Sequence, residues 1–259
     1  MKNKKELGQN WLNNRVILEE IADYTVNNIE NQSADESSDK IPLCVEIGPG
    51  LGYLTSSLLK RFERVIAVEF DAELARKLPG SFPGKDLTVI NEDILKFDFG
   101  SINESFVVAG NIPYYITSPI IRKLLTLEHK PKRIVLLIQK EVAERIVDEN
   151  ETVLSLFVKN YAKVSVGLVV KREEFTPPPK VDSQVIVMEP YKKPIVSEKV
   201  LDLIQIGFKA PRKKLVHNLA GLKTKDDLLR CFDACGISQD ARPGDVKLEQ
   251  WAKIYGFLK

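Results

Sequence analysis

The tetrapeptide Asn111-Ile112-Pro113-Tyr114 combines groups that could act on the exocyclic amine of a nucleic-acid base. Such an amine is a poor nucleophile because its lone pair is delocalised into the ring, so it needs acceptors that take its hydrogens. The Asn111 amide oxygen and the Ile112 backbone carbonyl are such acceptors, Pro113 fixes the turn, and Tyr114 offers an aromatic face for an unstacked base. A strand-end turn with an asparagine cap is the simpler alternative, and the tetrapeptide alone leaves both open.

A glycine-rich turn lies upstream, where Gly48, Gly50 and Gly52 follow a short apolar run and precede a helical pattern. Glycine lets the backbone pass close to a ligand, and the helix N-terminus adds a favourable dipole. The dinucleotide pattern G-x-G-x-x-G would need glycine where Tyr53 stands, and no Lys-Ser or Lys-Thr pair follows. The turn therefore favours a nucleoside without a phosphate, while an ordinary strand-to-helix turn stays open.

Strands and helices alternate over the first half of the chain, which predicts an α/β fold with a mainly parallel sheet and helices on both faces. The strands are predicted at 43–47, 65–69, 87–90, 105–109 and 133–138, and the helices between them at about 53–62, 72–78 and 118–126. Glu69, Asp93 and Asn111 follow three of these strands. Because ligands bind beyond the carboxyl ends of parallel strands, these residues predict one site.

Glu69 adds a second indication of the ligand. It stands about 20 residues beyond the glycine turn, the spacing at which an acidic residue meets ribose hydroxyls in related folds. An adenosyl ligand fits this arrangement.

The N-terminal region reads as a basic arm followed by a helix. The arm covers residues 2–14, and its Trp11 and Leu12 are expected to dock on the rest of the protein, since they have no apolar partner within the arm. Asn13 or Asn14 should cap a helix from about Arg15 to Ile29. The polar stretch 31–40 is predicted to be an exposed loop.

The second half of the chain predicts a domain boundary. Helices at about 140–147 and 152–161 precede β-rich runs at 163–171 and 184–189, and between these runs the segment 175–183 carries three prolines. That segment is either a rigid connector or part of a substrate mouth. Helical patterns then follow at 200–208, 212–219, 226–235 and 248–257. We therefore predict domains at 1–192 and 193–259, the second small and all-α.

Charge is unevenly distributed along the chain. The net charge is +2, but the first 159 residues carry −4 and the remainder +6. A basic C-terminal part is expected if it meets a polyanion, although a solvated charged face gives the same distribution. Lys209, Arg212, Lys213 and Lys214 cluster at a predicted helix start, where the dipole does not favour cations, so they are candidate RNA phosphate contacts.

Composition argues against several classes of protein. The sequence contains no run of about 18 apolar residues, so no membrane span is predicted, and the N-terminus lacks the apolar core of a signal peptide. Cys44, Cys231 and Cys235 form no disulfide framework, which suits a reducing cytoplasm. Cys231 and Cys235 lie four residues apart with no further Cys or His nearby, so no metal site is expected.

The motifs, taken in order, resemble those of a known family. E-I-G-P-G-L-G at 46–52 and V-E-F-D at 68–71 are similar to the first motifs of S-adenosylmethionine-dependent methyltransferases. Asn111 to Tyr114 resembles the Asn-Leu/Ile-Pro-Tyr form typical of ribosomal RNA adenine dimethyltransferases. Motifs of that family also resemble L-G-Q-N-W-L at 7–12, Q-K-E-V-A-E-R at 139–145, F-T-P-P-P-K-V-D-S at 175–183 and R-K-K-L-V-H-N-L at 212–219. The resemblance covers nearly the whole chain.

The resemblance implies specific site residues. Asn10 and Leu12 of the arm, Gly48 and Gly50 of the turn, Glu69 on the ribose, Asp93 on the adenine amine and Asn111 near the methionine end would contact the cofactor. Phe70 and Ile94 would sandwich the cofactor adenine, and Tyr114 would stack on the target base. Trp11 stands where the family has Phe, and one arginine of its later basic motif is missing, so the detailed RNA contacts stay open.

The resemblance further implies a Rossmann-like fold and an activity. It predicts a cytoplasmic, monomeric enzyme that uses S-adenosylmethionine and no metal to dimethylate the N6 amines of two adjacent adenosines near the 3′ end of small-subunit rRNA within a pre-ribosomal particle. Large-subunit rRNA methylation of the macrolide-resistance type is one alternative. A ribosome-assembly or transcription factor that binds RNA without methylating it is another.

Overall fold

The computed structural model describes residues 9–26 and 42–259. In chain order, the strands and helices in these ranges are β1 (Trp11–Leu12), α1 (Arg15–Tyr24), β2 (Leu43–Ile47), α2 (Tyr53–Leu58), β3 (Arg64–Glu69), α3 (Ala72–Lys77), β4 (Leu87–Asn91), β5 (Phe106–Asn111), α4 (Thr117–Thr126), β6 (Ile134–Gln139), α5 (Lys140–Val147), α6 (Val153–Tyr161), β7 (Ala162–Val170), β8 (Phe175–Thr176), β9 (Ser183–Pro190), α7 (Glu198–Gly207), α8 (Leu215–Leu219), α9 (Lys225–Ala234) and α10 (Leu248–Leu258). None of these helices is long and apolar enough to cross a membrane.

The main sheet has the strand order β4-β3-β2-β5-β6-β9-β7. Strands β4, β3, β2, β5 and β6 run parallel, and β9 pairs antiparallel with β6. The predicted mainly parallel α/β sheet is confirmed. Because the chain moves from β2 to one side and then returns to place β5 on the other, the carboxyl ends of β2 and β5 form the switch point at which such sheets bind ligands.

Both faces of the central strands are covered. Every residue of β2 is buried, as expected for an apolar run in a parallel sheet with two covered faces. On one face, Cys44 lies in a core with Leu18 of α1 and Leu58 of α2. On the other, Phe106 of β5 stacks on Phe99 at a centroid distance of 6.0 Å, and Lys123 of α4 lies over the Phe99 ring.

Trp11 and Leu12 of the N-terminal arm dock on the rest of the protein, as predicted, and the structure identifies their partner strand. Trp11 pairs with Thr176 and Leu12 with Phe175, which makes β1 and β8 a small antiparallel ribbon. Asn14 is the helix cap, since its Oδ1 accepts from Val16 N at 3.1 Å. The helix predicted to Ile29 is α-helical to Tyr24, and its residues 27–29, the 31–40 loop and residues 1–8 of the arm lie outside the described ranges.

The chain divides into two compact units, which differ from the predicted domains 1–192 and 193–259. The first holds the described residues up to Ala143 together with Val164–Pro190, and the second holds Glu144–Lys163 and Tyr191–Lys259. Residues 144–163 therefore belong with the C-terminal unit. The physical reason is that Leu156 of α6 lies in the same buried core as Phe232 and Trp251.

The second unit is helical, as predicted, but one helix begins later than expected. The segment 212–219 is helical only from Leu215, and Lys214 is the residue that precedes the helix. The backbone N–H of Lys213 donates to Ala210 O at 3.0 Å, which closes a turn that carries the cations. The cluster therefore lies in the turn between α7 and α8 rather than in the first turn of a helix.

Two helical glycines of the second unit allow a matched stability prediction. A Cβ on Gly207 would lie 2.2 Å from Cη2 of the fully buried Trp251, whereas a Cβ on Gly256 meets no atom within 4 Å. Gly207→Ala should lower the free energy of unfolding by about 1–3 kcal/mol through overpacking. Gly256→Ala should raise it by about 0.5–1 kcal/mol through helix propensity.

Urea unfolding of the full chain, followed by circular dichroism, measures both changes. Equal effects of the two substitutions would contradict the packing described for Trp251.

Candidate active site

The glycine turn between β2 and α2 adopts a backbone that L-residues rarely adopt. Gly48, Gly50 and Gly52 have φ values of +64°, +57° and +83°. At Gly52 a Cβ would also lie 2.7 Å from Leu78 Cδ1, so both conformation and space require glycine there. The turn is held to the neighbouring strand by the bond from Gly48 N to Val68 O at 2.9 Å.

Glu69 links the turn to the loop after β3. Its Oε2 accepts from Gly50 N at 3.0 Å and its Oε1 from Asp71 N at 2.8 Å. Burial raises the pKa of Glu69, and these two N–H donors oppose the increase. Because each carboxylate oxygen has two acceptor positions, Glu69 can accept further hydrogen bonds from a ligand.

The loops after β3 and β4 are joined by Asn91, whose Nδ2 donates to Glu69 O at 2.9 Å and Phe70 O at 3.1 Å. Phe70 is 61% exposed although it is a large apolar residue, whereas Ile94 is buried. Asp93 accepts from Leu95 N at 2.9 Å and so begins a turn. These predicted cofactor contacts therefore lie at the ends of two adjacent strands.

The remaining predicted catalytic and cofactor residues meet at one cavity that is open to solvent. Its lining comes mainly from the arm, from the glycine turn with the start of α2, and from the motif after β5, with one residue each from α1 and β2. The predicted site residues among the lining are Asn10, Leu12, Gly48, Gly50, Asn111, Ile112, Pro113 and Tyr114. Glu69, Phe70, Asp93 and Ile94 do not line it, although Glu69 is bonded to Gly50 in its wall.

The arm orients the Asn111 side chain. Asn111 Nδ2 donates to the backbone oxygen of Asn10 at 3.0 Å. A backbone carbonyl can only accept, so the amide nitrogen must face the arm and Oδ1 must point away from it. The same arm packs Trp11 at 3.4 Å from the position of a Gly50 Cβ, so it contacts both the glycine turn and Asn111.

Tyr114 starts a short 3-10 turn after Pro113 and is half-buried. Its hydroxyl lies 2.7 Å from Oγ of Ser183, the first residue of β9. Burial raises the pKa of Tyr114, and the bond to Ser183 opposes the increase. Sequence reasoning placed Ser183 in a motif but gave no sign of this contact, because 69 residues separate the two side chains.

Glu46 is a lining residue that sequence reasoning did not single out. It is 1% exposed, and its Oε2 has no hydrogen-bond partner. Its pKa is raised to about 8, chiefly by burial; hydrogen bonding to Thr55 opposes the increase and the nearby charge of Glu69 adds to it. The available signal was an acidic residue inside the otherwise apolar strand L-C-V-E-I, since buried carboxyl groups with shifted pKa values concentrate at functional sites.

The predicted RNA contacts belong to the second unit and are not among the residues that line the cavity. Lys209, Arg212, Lys213 and Lys214 are all exposed, and Lys214 Nζ forms an ion pair with Asp240 at 2.6 Å. Among the described residues no group of three or more His, Cys, Asp or Glu side chains could hold a metal ion. Cys231 and Cys235 are buried free thiols with their sulfurs 4.0 Å apart.

The fold and this site define the Rossmann-like class of S-adenosylmethionine-dependent methyltransferases. The ribosomal RNA adenine dimethylase family model matches residues 1–259. The chain belongs to that family, so the resemblance stated from its motifs and the assignment to rRNA adenine dimethyltransferase enzymes are both confirmed.

Named relatives cover almost the whole chain. The ribosomal RNA small subunit methyltransferase A of Clostridium acetobutylicum is 37% identical over 96% of this chain and 91% of its own length. The protein of the same name from Synechocystis sp. is 36% identical, with 98% and 96% covered.

Solved structures agree in fold. A dimethyladenosine transferase from Plasmodium falciparum has a TM-score of 0.76 and 26% identity, covering 94% of this chain and 95% of that one. The 23S rRNA methyltransferase ErmE also has a TM-score of 0.76, at 24% identity, covering 96% and 99%, and this likeness shows the fold alone.

The buried carboxyl of Glu46 makes stability depend on pH. Its folded pKa of about 8 exceeds the ordinary 4.5, so the folded state keeps a proton that the unfolded chain has released. Its contribution is therefore complete below about pH 4.5 and is lost as the pH rises toward 8. Glu46→Gln, which stays neutral, should gain stability relative to the natural chain over this range, by about 4 kcal/mol at most.

Urea unfolding of both proteins between pH 5 and about pH 8.5 measures this difference. If the free energies of unfolding follow parallel curves, Glu46 is not protonated in the folded protein.

Proposed function

We propose that this chain transfers two methyl groups from S-adenosylmethionine to the N6 amine of each of two adjacent adenosines in the 3′-terminal hairpin of small-subunit (16S) rRNA during ribosome biogenesis. The observation that carries the proposal is that the Asn111-to-Tyr114 motif and the glycine turn line the same cavity. The names of the small-subunit methyltransferase relatives support the choice of rRNA.

The residues present fit the proposed cofactor. The glycine turn offers backbone close to a nucleoside, and Glu69 keeps acceptor capacity for ribose hydroxyls. Asp93 would accept from the adenine amine, and Phe70 and Ile94 would lie on either side of the adenine. Asn10 and Leu12 of the arm and Gly48 and Gly50 of the turn would also contact the cofactor, with Asn111 near its methionine end. S-Adenosylmethionine would supply a methyl group activated on a sulfonium and would leave as S-adenosylhomocysteine. Because the methyl group is already activated, no strong general base is needed.

Asn111 and Ile112 would activate the target amine. With its Nδ2 bound to Asn10 O, Asn111 can present Oδ1 as an acceptor, and the Ile112 carbonyl is the second acceptor of the motif. Two acceptors take the two hydrogens of the amine and turn its lone pair toward the methyl group. This arrangement positions the amine without deprotonating it in advance.

Tyr114 would receive the flipped adenine on its ring face. A base must leave its stack to reach the cavity, and stacking on an aromatic side chain repays part of that cost. Pro113 holds its own φ at −59° and so fixes the backbone position from which the Tyr114 side chain extends.

The second unit would bind the substrate particle. The exposed cations Lys209, Arg212 and Lys213, together with Lys214, would contact rRNA phosphates in a pre-ribosomal 30S-type particle. The enzyme would act as a monomer in the cytoplasm and would use no metal.

Asn111→Ala should abolish most methyl transfer, because it removes one of the two acceptors for the target amine. We expect kcat to fall on the order of 100-fold or more while RNA binding is retained. Transfer of labelled methyl groups to immature small subunits measures turnover, and filter binding measures the RNA complex. Asn103→Ala, at an exposed loop position, is the control that should keep full activity.

Mapping of the modified bases in the same reaction tests the substrate. Dimethyladenine at two adjacent positions of small-subunit rRNA is the expected product. Label only in large-subunit rRNA would support the macrolide-resistance alternative. Cofactor and RNA binding without transfer would support a non-catalytic assembly factor.

Alanine at Arg212 or Lys213 should weaken binding to small-subunit rRNA and make it less dependent on salt. Each lost phosphate contact should reduce the slope of log K against log salt concentration by about 0.7–0.9. Lys85→Ala, an exposed lysine of the first unit, is the matched control and should leave the slope unchanged. An unaltered slope in both Arg212→Ala and Lys213→Ala would remove these residues from the RNA contact.

A further inference from the structure

Ser183 makes a specific contact with the side chain proposed to hold the target base. Its Oγ lies 2.7 Å from the Tyr114 hydroxyl, and Ser183 itself is fully buried. The contact lies within the first unit, because Tyr114 and Ser183 both belong to it and Ser183 is the first residue of β9. Two hydroxyls at this distance form a hydrogen bond, and the Ser183 side of it is shielded from water.

The backbone on either side of Ser183 is held firmly. Ser183 pairs with Gln139, the last residue of β6, and the preceding Asp182 O accepts from Lys140 N at 3.0 Å. The Asp182 carboxylate also accepts from the backbone N–H of Arg172 at 3.0 Å. The Ser183 hydroxyl is therefore a fixed point on the sheet.

The backbone at Tyr114 is held by the bonds of one short turn, in which the Tyr114 carbonyl accepts from the Thr117 N–H. Tyr114 stands in a three-residue 3-10 turn between β5 and α4, and the next residue, Tyr115, is 64% exposed. A tyrosine ring attached only at Cβ can turn about two side-chain torsions. A second attachment at its far end fixes the plane of the ring, and stacking on a base depends on that plane.

We propose that Ser183 is a positioning residue that holds the Tyr114 ring in the plane needed to stack on the target adenine. The inference rests on the proposed function, which makes Tyr114 the base platform. It also gives the proline-rich segment 175–183 a role in the substrate mouth. The segment begins with the two residues that pair with the arm and ends with the residue that holds Tyr114.

A double-mutant cycle tests this role with the full chain, labelled S-adenosylmethionine and immature small subunits. Tyr114→Phe keeps the ring and removes its hydroxyl, and Ser183→Ala removes the partner. Each should lower kcat about 5–10-fold with the KM for S-adenosylmethionine unchanged. The double variant should lose no more than either single variant, because both substitutions break the same bond.

Ser57→Ala is the matched control for a purely structural loss. Ser57 is also a buried serine of the first unit, and its hydroxyl donates to Glu19 Oε1 at 3.0 Å. It should lower the melting temperature about as much as Ser183→Ala while kcat is retained.

The outcomes separate this inference from the proposed function. Coupled losses in kcat support the role of Ser183. Independent losses that multiply in the double variant, or full turnover in Ser183→Ala, would overturn that role and leave the methyltransferase proposal standing. Absence of transfer by the natural chain to any rRNA would overturn both.

Discussion

The parallel register of β2 with its two neighbours sets the geometry on which the candidate site depends. Ile47 lies opposite Val68 of β3 and opposite Gly110 of β5. The glycine turn, Glu69 and Asn111 each follow one of these three residues, so they leave the sheet at the same level. A shift of one residue would turn every side chain of β2 to the other face and separate the turn from Glu69. Burial of both faces of β2 makes such a shift costly.

The sequence was informative wherever a local pattern had a local cause. Apolar runs bounded by glycine and proline predicted the strands of the sheet to within one or two residues, and their order predicted which loops would meet. The β1–β8 ribbon was not predictable in the same way. It has two residues on each side, too few for a pattern, and its partners are more than 160 residues apart. Such pairing depends on the packing of Leu12 and Phe175 in the core rather than on propensity.

Three further differences have similar physical causes. The apolar face of α6 would suit either core, so its sequence could not reveal that Leu156 packs with Trp251. α8 begins later than predicted because a hydrogen bond between backbone atoms closes the preceding turn, and a backbone bond cannot be recognised from the pattern of side chains. Glu46 and Ser183 were missed because their importance lies in what surrounds them, an apolar strand in one case and the Tyr114 hydroxyl in the other. A buried polar group that lacks a hydrogen-bond partner or has a shifted pKa lowers stability, and such groups are concentrated at functional sites.

The division into units has a consequence for how the protein can be taken apart. The chain passes from one unit to the other near residue 143, returns near 163 and leaves again near 190. The helical unit is thus built from two separate segments of the chain, with sheet strands between them in the sequence. One peptide-bond cleavage at 190 would leave α6 on the wrong fragment, without the helices that bury Leu156. Exchange of the helical unit between relatives would therefore require two matched segments to be transplanted together.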